Sequence, residues 1–194
     1  MQATGIIAEY NPFHNGHLYH IQETKRLTQQ PVIVVMSGSF MQRGEPAVLS
    51  KWQRASCAVQ GGADLVLELP CVFTLRSAEF FAKGAVQLLA ATGCVNTLAC
   101  GTEHPQSDFK AAASLACSAE AQARLRKLLQ NGLSYAQAWE KILGAYTAFR
   151  TPNDILALEY TKALLQTAAD IQPLYLQRRG CQHLIRYRVK EFSE

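Results

Sequence analysis

At 194 residues the chain is long enough for one domain with a sizeable core, and 48% hydrophobic against 18% charged residues argues against a disordered protein. No apolar run reaches the length of a membrane span, no basic-then-apolar leader opens the sequence, and the six cysteines form no Cys-Xaa-Xaa-Cys pair. These features point to reduced thiols in the cytoplasm and no membrane. A formal charge of +4 does not by itself demand nucleic acid, although Arg178, Arg179, Arg186, Arg188 and Lys190 crowd the end of the chain, as a polyanion footprint or a solvated tail would.

In chain order, strand-like and helix-like segments alternate. Ala3–Glu9 reads as a short buried strand and residues 16–28 as a helix. Pro31–Met36 is a β-branched run stopped by Ser37-Gly38, and a helix over Ser50–Gln60 ends at Gly61-Gly62. Asp64–Leu69 is a third strand, stopped by Pro70. Ser77–Ala91 is helical, with Gly93 as its C-cap, and Val95–Cys100 is a fourth strand running into Gly101. Beyond Gly101 the helices Phe109–Leu129, Ser134–Leu143 and Thr151–Thr167 are rich in alanine and leucine, and Gln172–Gln177 looks like one more strand. Continuous apolar strands alternating with helices predict an α/β fold. The expected form is a Rossmann-like parallel sheet covered on both faces, with an added helical segment toward the C-terminus.

Ligands of such sheets bind beyond the carboxyl ends of the strands, so the loops there carry the candidates. The first runs from Glu9 through Tyr10, Asn11, Pro12, Phe13, His14, Asn15, Gly16, His17, Leu18 and Tyr19 to His20. Gly16 lets backbone approach a ligand, the helix start offers amide donors to phosphate, and two imidazoles flank the glycine. Phosphate chemistry is the first reading of these histidines. The others are ordinary loop and surface residues, or a metal site, although three-residue spacing drifts around a helix and no acidic or Cys partner completes a ligand set. No Gly-Xaa4-Gly-Lys-Ser/Thr loop and no Gly-Xaa-Gly-Xaa-Xaa-Gly is present, so a nucleotide site must be of the His-Xaa-Gly-His kind. The second loop, Ser37–Pro46, suits a small anion or is a plain turn. Gly101, in the third, lets a nucleoside lie against backbone or simply ends a strand. The fourth, Thr151-Pro152-Asn153-Asp154, is a good helix start that leaves the Asn153 carboxamide free for a ligand.

Three stretches together, Glu9–His17, Met36–Ala47 and Pro152–Leu156, resemble the tRNA(Met) cytidine acetate ligases of the His-Xaa-Gly-His nucleotidyltransferase superfamily, over a span from Gly5 to about Arg178. The resemblance implies ATP-dependent activation of acetate to acetyladenylate, then transfer of the acetyl group to the wobble cytidine of elongator tRNA(Met). It implies ATP contacts at Ile7, Ala8 and the loop from Glu9 to His20, and at Gly101, Asn153 and Arg178, with His14 and His17 as the catalytic pair. Mg2+ is expected with ATP. Ser37, Gln42 and Arg43 are the candidates for holding acetate. No stable protein partner is inferable. The expected organisation is a single nucleotidyltransferase-like ATP-binding domain over 1–194. The second phosphate motif and the further domain carried by family members are absent from this stretch. Two rival functions are a nucleotidyltransferase joining AMP to a phosphorylated small molecule and a non-catalytic nucleotide- or RNA-binding module.

Overall fold

A computed structural model describes residues 2–144, 151–167 and 170–178. The cationic positions Arg179, Arg186, Arg188 and Lys190 lie outside them. Five strands, β1 (Ala3–Ala8), β2 (Val32–Ser37), β3 (Leu65–Leu69), β4 (Val95–Thr102) and β5 (Gln172–Gln177), form one sheet in the order β3-β2-β1-β4-β5. All four pairings are parallel, with Ile6 opposite Val34 on β2 and Ala99 on β4.

Side chains on a strand alternate between faces, and this alternation divides the core in two. Ile6, Val32, Val34, Met36, Ala99 and Leu176 point to one face, covered by α1 (Asn15–Thr28) and α2 (Lys51–Gln60) through Ile21 and Ala58. Ala3, Ile7, Ile33, Val35, Leu98 and Cys100 point to the other. There they meet α4 (Ala78–Ala91), α5 (Phe109–Cys117), α6 (Ala119–Gln130), α7 (Tyr135–Ile142) and α8 (Pro152–Gln166). The result is the predicted α/β architecture, with the helical segment packed on one face. Among the described residues no helix is long and apolar enough to cross a membrane.

Two local features depart from expectation. The helix predicted over Phe109–Leu129 is two helices, broken at Ser118. That residue is extended (φ −66°, ψ 147°), and its hydroxyl accepts from the Ala121 N–H at 3.1 Å, starting α6. A serine that offers the backbone its own acceptor competes with helix continuation, and here it wins over the surrounding alanines. The second is a short helix, α3 (Cys71–Thr74), formed immediately after Pro70 where only a strand stop was expected. At the end of α4 the C-cap is Thr92, and Gly93 follows it at φ 68°.

Helix α4 crosses α3 where Gly84 leaves no room for a side chain: an added Cβ would lie 2.3 Å from Cγ of Phe73. In an open helix Gly→Ala stabilises by about 0.5–1 kcal/mol. At position 84 overpacking reverses the sign, so Gly84→Ala should destabilise by about 1–3 kcal/mol in urea unfolding. A stabilised variant would show that the Phe73 contact is dispensable.

Candidate functional site

The sheet order reverses at β1 and β4, and beyond their carboxyl ends lies a cleft of about 310 Å³. Its floor includes Phe81, Ala99, Cys100, Leu156 and Tyr160. Burial pushes the Cys100 thiol up to about 12, which leaves it a neutral part of that floor. After β1 the chain turns at Tyr10 (φ 50°), passes a cis Asn11–Pro12 peptide and enters α1 at His14. Tyr10 is buried against Phe13 and His17, with ring centroids 5.0 and 4.8 Å away, and Phe13 fits over Gly61 at the end of α2. The turn is therefore anchored by aromatic packing before it reaches the helix.

The helix start is built from the two motif histidines. His14 is the N-cap, and its Nδ1 accepts from the Gly16 N–H at 3.0 Å; the His14 N–H in turn donates to Nδ1 of His17 at 3.3 Å. This reciprocal arrangement is a capping box made of imidazoles. The rings stack 3.6 Å apart at 20°. Because both Nδ1 atoms accept from backbone N–H groups, both rings are neutral and carry their proton on Nε2. Electrostatics agree. Burial lowers His17 to about 3, with further lowering from His14, His20 and Arg178. Burial and then Arg178 lower His20 to about 4, and the same two causes lower His14. The mouth of the cleft thus offers N–H donors and a helix N-terminus without charged imidazole.

The opposite wall joins β4, α8 and β5. The Asn153 carboxamide donates to Oε1 of Glu103 at 2.7 Å and accepts from Nη1 of Arg178 at 3.0 Å. Thr151 donates to Oε2 of Glu103 at 2.7 Å, and Nε of Arg178 lies 3.4 Å from Oε1 of Glu103. Beneath this network Asp154 is fully buried. It accepts from the Thr102 hydroxyl and from the Glu103 N–H at 3.1 Å, and pairs with Nδ1 of His104 at 2.8 Å. Burial alone would raise the Asp154 carboxyl, but the hydrogen bonds from Thr102, Thr151 and His104 outweigh it and hold it below its usual value. A Cβ on Gly101 would meet Cγ of Arg178 at 3.5 Å and Cε1 of His20 at 3.9 Å, so the glycine keeps a gap open between them.

The β2 end of the cleft is fastened by one buried arginine. Arg54 of α2 donates to the carbonyls of Leu49 (3.2 Å), Glu9 (2.5 Å), Ser37 (3.1 Å) and Gly38. The Glu9 carboxylate accepts from the Gln42 N–H at 2.6 Å, and the Asn11 side chain accepts from the Val48 N–H at 2.8 Å. Glu9 and Asn11 therefore line the cleft while holding the 38–48 loop.

Of the residues singled out from sequence, Ile7, Ala8, Glu9, Tyr10, Asn11, Pro12, His14, His17, His20, Gly101, Asn153 and Arg178 line this one cleft. Gly16 and Tyr19 line a small adjoining hollow that shares His17, His20, Gly101 and Arg178. Phe13, Asn15 and Leu18 line neither hollow; Phe13 serves the packing at Gly61. Among Ser37, Gln42 and Arg43, only Gln42 reaches the cleft. Ser37 is buried with its hydroxyl toward the Met41 sulfur, and Arg43 is exposed. Among the described residues no group of three or more His, Cys, Asp or Glu side chains converges on a metal position. Sequence reasoning missed Glu103, which fixes Asn153 and Arg178, and took Asp154 for a helix-start residue alone. An acidic residue immediately past the Gly101 strand end was the available signal.

The model of the HIGH nucleotidyl transferase family matches residues 1–192. The chain is 49% identical to the tRNA(Met) cytidine acetate ligase of Leuconostoc mesenteroides, covering 92% of this chain and 45% of that protein. It is 43% identical to the protein of the same name from Acetivibrio thermocellus, covering 92% and 46%. The solved structure of Thermotoga maritima TmcAL bound with alpha-thio ATP superposes with a TM-score of 0.85 at 37% identity, covering 94% of this chain and 48% of that one. The chain thus spans about half the length of the relatives it matches.

Two expected outcomes follow from the site's construction. An ammonium cannot reach four carbonyls in a planar fan, so Arg54→Lys should destabilise the chain by about 3–5 kcal/mol in urea unfolding; a change below 1 kcal/mol would remove the clamp from the account. The lowered histidines set a pH window. The unfolded chain takes up protons below about 6.5 while the folded chain does not, until about 4 at His20 and 3 at His17. Stability should therefore be full above pH 6.5 and fall as pH drops toward 4, by on the order of 1.4 kcal/mol per pH unit for each such histidine. Asp64 and Asp154, whose carboxyls are held low, act only below the ordinary carboxylate range, and Glu159, whose carboxyl burial raises, acts with the opposite sign, so a loss of stability between pH 6.5 and 5 belongs to the histidines. A flat denaturation midpoint across that interval would contradict it.

Proposed function

This chain belongs to the HIGH nucleotidyl transferase family, and from that premise we propose that it carries the ATP-dependent chemistry of a tRNA(Met) cytidine acetate ligase, acting in the cytoplasm. In the proposed reaction an acetate oxygen attacks the α-phosphorus of ATP, the bond to the β-phosphate oxygen breaks, and acetyladenylate and pyrophosphate form. The exocyclic amine of the cytidine then attacks the acetyl carbonyl; AMP leaves and the amine gives up a proton.

The observation that carries this reading is the neutral, stacked histidine pair at the start of α1, facing the cleft. Donors whose inner nitrogens are already engaged present a fixed outer N–H to charge that grows on the phosphates, with no reorganisation at the moment of reaction. Arg178, braced by Glu103 and Asn153, supplies a cation at the β5 side of the same cleft. Gly101 gives the nucleoside a place to lie against backbone. Mg2+ would enter with the triphosphate oxygens and water rather than in a protein cage. Acetate is a weak nucleophile, so its rate must come from positioning, and Gln42, beside Glu9 and Asn11, is an uncharged polar side chain lining the cleft where it would sit.

The test is exchange of labelled pyrophosphate into ATP. Exchange should depend on acetate; dependence on a phosphorylated small molecule instead would replace this reading with AMP transfer. Two substitutions separate chemistry from capping. His17→Asn keeps an acceptor where Nδ1 lies and loses the outer N–H, so exchange should fall about a hundred- to a thousand-fold with the fold retained. His17→Gln keeps an outer N–H and weakens the cap, so it should lose stability first. Near-normal exchange in His17→Asn would take His17 out of the reaction.

A further inference from the structure

The cleft has two unlike ends. At the β4–β5 end stand Gly101, Asn153 and Arg178, the groups suited to a nucleotide. At the β2 end stand Gln42 and Phe81, and there the rim carries a feature the reaction has not used. The guanidinium of Arg76 lies 3.8 Å from the ring centroid of Phe80, and both residues are exposed. The backbone that carries them is tied to the cleft. Gln42 donates from its side chain to the Arg76 carbonyl at 3.4 Å, and the N–H of Phe81, next to Phe80 and 3% exposed in the cleft floor, bonds the Ser77 carbonyl at 3.0 Å. A guanidinium stacked on an aromatic ring keeps a second flat face, and it is weakly hydrated there. Surfaces of this kind accept bases splayed from single-stranded nucleic acid.

We propose that Arg76 and Phe80 form a stacking platform for a nucleobase of a single-stranded RNA acceptor at the β2 rim of the cleft. This rests on the reading that an RNA cytidine is the acetyl acceptor. With the nucleotide at the Arg178 end, the acceptor has to approach from the other side of the histidine pair, and the platform borders that side. A planar cation over a ring suits a neutral, planar, electron-rich base better than a compact anion, for which an unstacked lysine would serve equally well.

The experiment measures fluorescence anisotropy of a labelled single-stranded RNA heptamer with a central cytidine, and of a matched heptamer with an abasic centre, against the 194-residue chain. Arg76→Ala and Phe80→Ala should each weaken binding of the cytidine heptamer on the order of ten- to a hundred-fold. Arg76→Lys, which keeps the charge and loses the flat face, should weaken it nearly as much. The abasic heptamer should bind weakly and be insensitive to all three. ATP binding, followed by calorimetry, should be unchanged in every variant, which also reports that each is folded. Arg76→Lys is a surface change that keeps the test alive if Phe80→Ala does not fold. Wild-type affinity in Arg76→Lys, equal binding of abasic and cytidine heptamers, or no binding of either by the wild-type chain would each overturn the platform. Base-dependent RNA binding that follows Arg76 and Phe80, in a chain with no acetate-dependent exchange, would keep the platform and remove the ligase reading, so the two fail separately.

Discussion

Everything at the cleft depends on the guanidinium of Arg54. Three pieces of chain meet beyond the carboxyl ends of β1 and β2: the turn leading to α1, the loop after β2 and the segment before α2. Each arrives with carbonyl groups directed at the buried Arg54 side chain. Side-chain burial of a cation is costly unless its hydrogen-bonding capacity is used, and carbonyls are costly to bury unpaired. Here each solves the other's problem, since the flat fork meets four oxygens on three segments. With that junction closed, Glu9 and Asn11 hold the 38–48 loop from the β1 side, and the cleft acquires a fixed β2 wall.

The other wall is fastened by the opposite charge. Asp154, fully buried, gathers the Thr102 hydroxyl, the Glu103 N–H and the His104 ring, which docks the start of α8 against the end of β4. Glu103 then orients the Asn153 carboxamide and the Arg178 guanidinium above it. Between a wall pinned by a buried cation and a wall pinned by a buried anion sit neutral histidines. That pattern places fixed dipoles and one outer cation around the cleft, an arrangement suited to charge that spreads over phosphate oxygens rather than to a single proton transfer.

Much of this was legible in the sequence because it is local. The apolar strands, the glycine-flanked histidines and the Thr151-Pro152 helix start announce themselves within a few residues, and β5 was placed at the residues it occupies. Where local signals compete, reading failed: alanine-rich flanks hid the break at Ser118, and a proline read as a stop also opened α3. What could not be read is long-range. Arg54 sits 45 residues from the Glu9 carbonyl it binds, and Asp154 sits 52 from Thr102. Nothing near either residue reveals which distant backbone it will satisfy. For the same reason Ser37 and Arg43 looked equivalent to Gln42 in one short loop, whereas folding buries the first, exposes the second and turns only the third toward the cleft.

The imidazole helix cap has a consequence for how the loop can change over time. In most enzymes a reactive side chain and the residue that begins a helix are separate, so drift at one leaves the other intact. At positions 14 and 17 each ring holds the first turn with one nitrogen while it lines the cleft. A replacement has to supply an acceptor on the inner side and a donor on the outer side at a fixed separation, and asparagine or glutamine each manages only one of the two. A descendant with no use for an outer donor would still be under pressure to keep these rings, simply to start its first helix. Finding both histidines in a relative therefore says that the helix begins there, and is weaker testimony that the relative still turns over substrate.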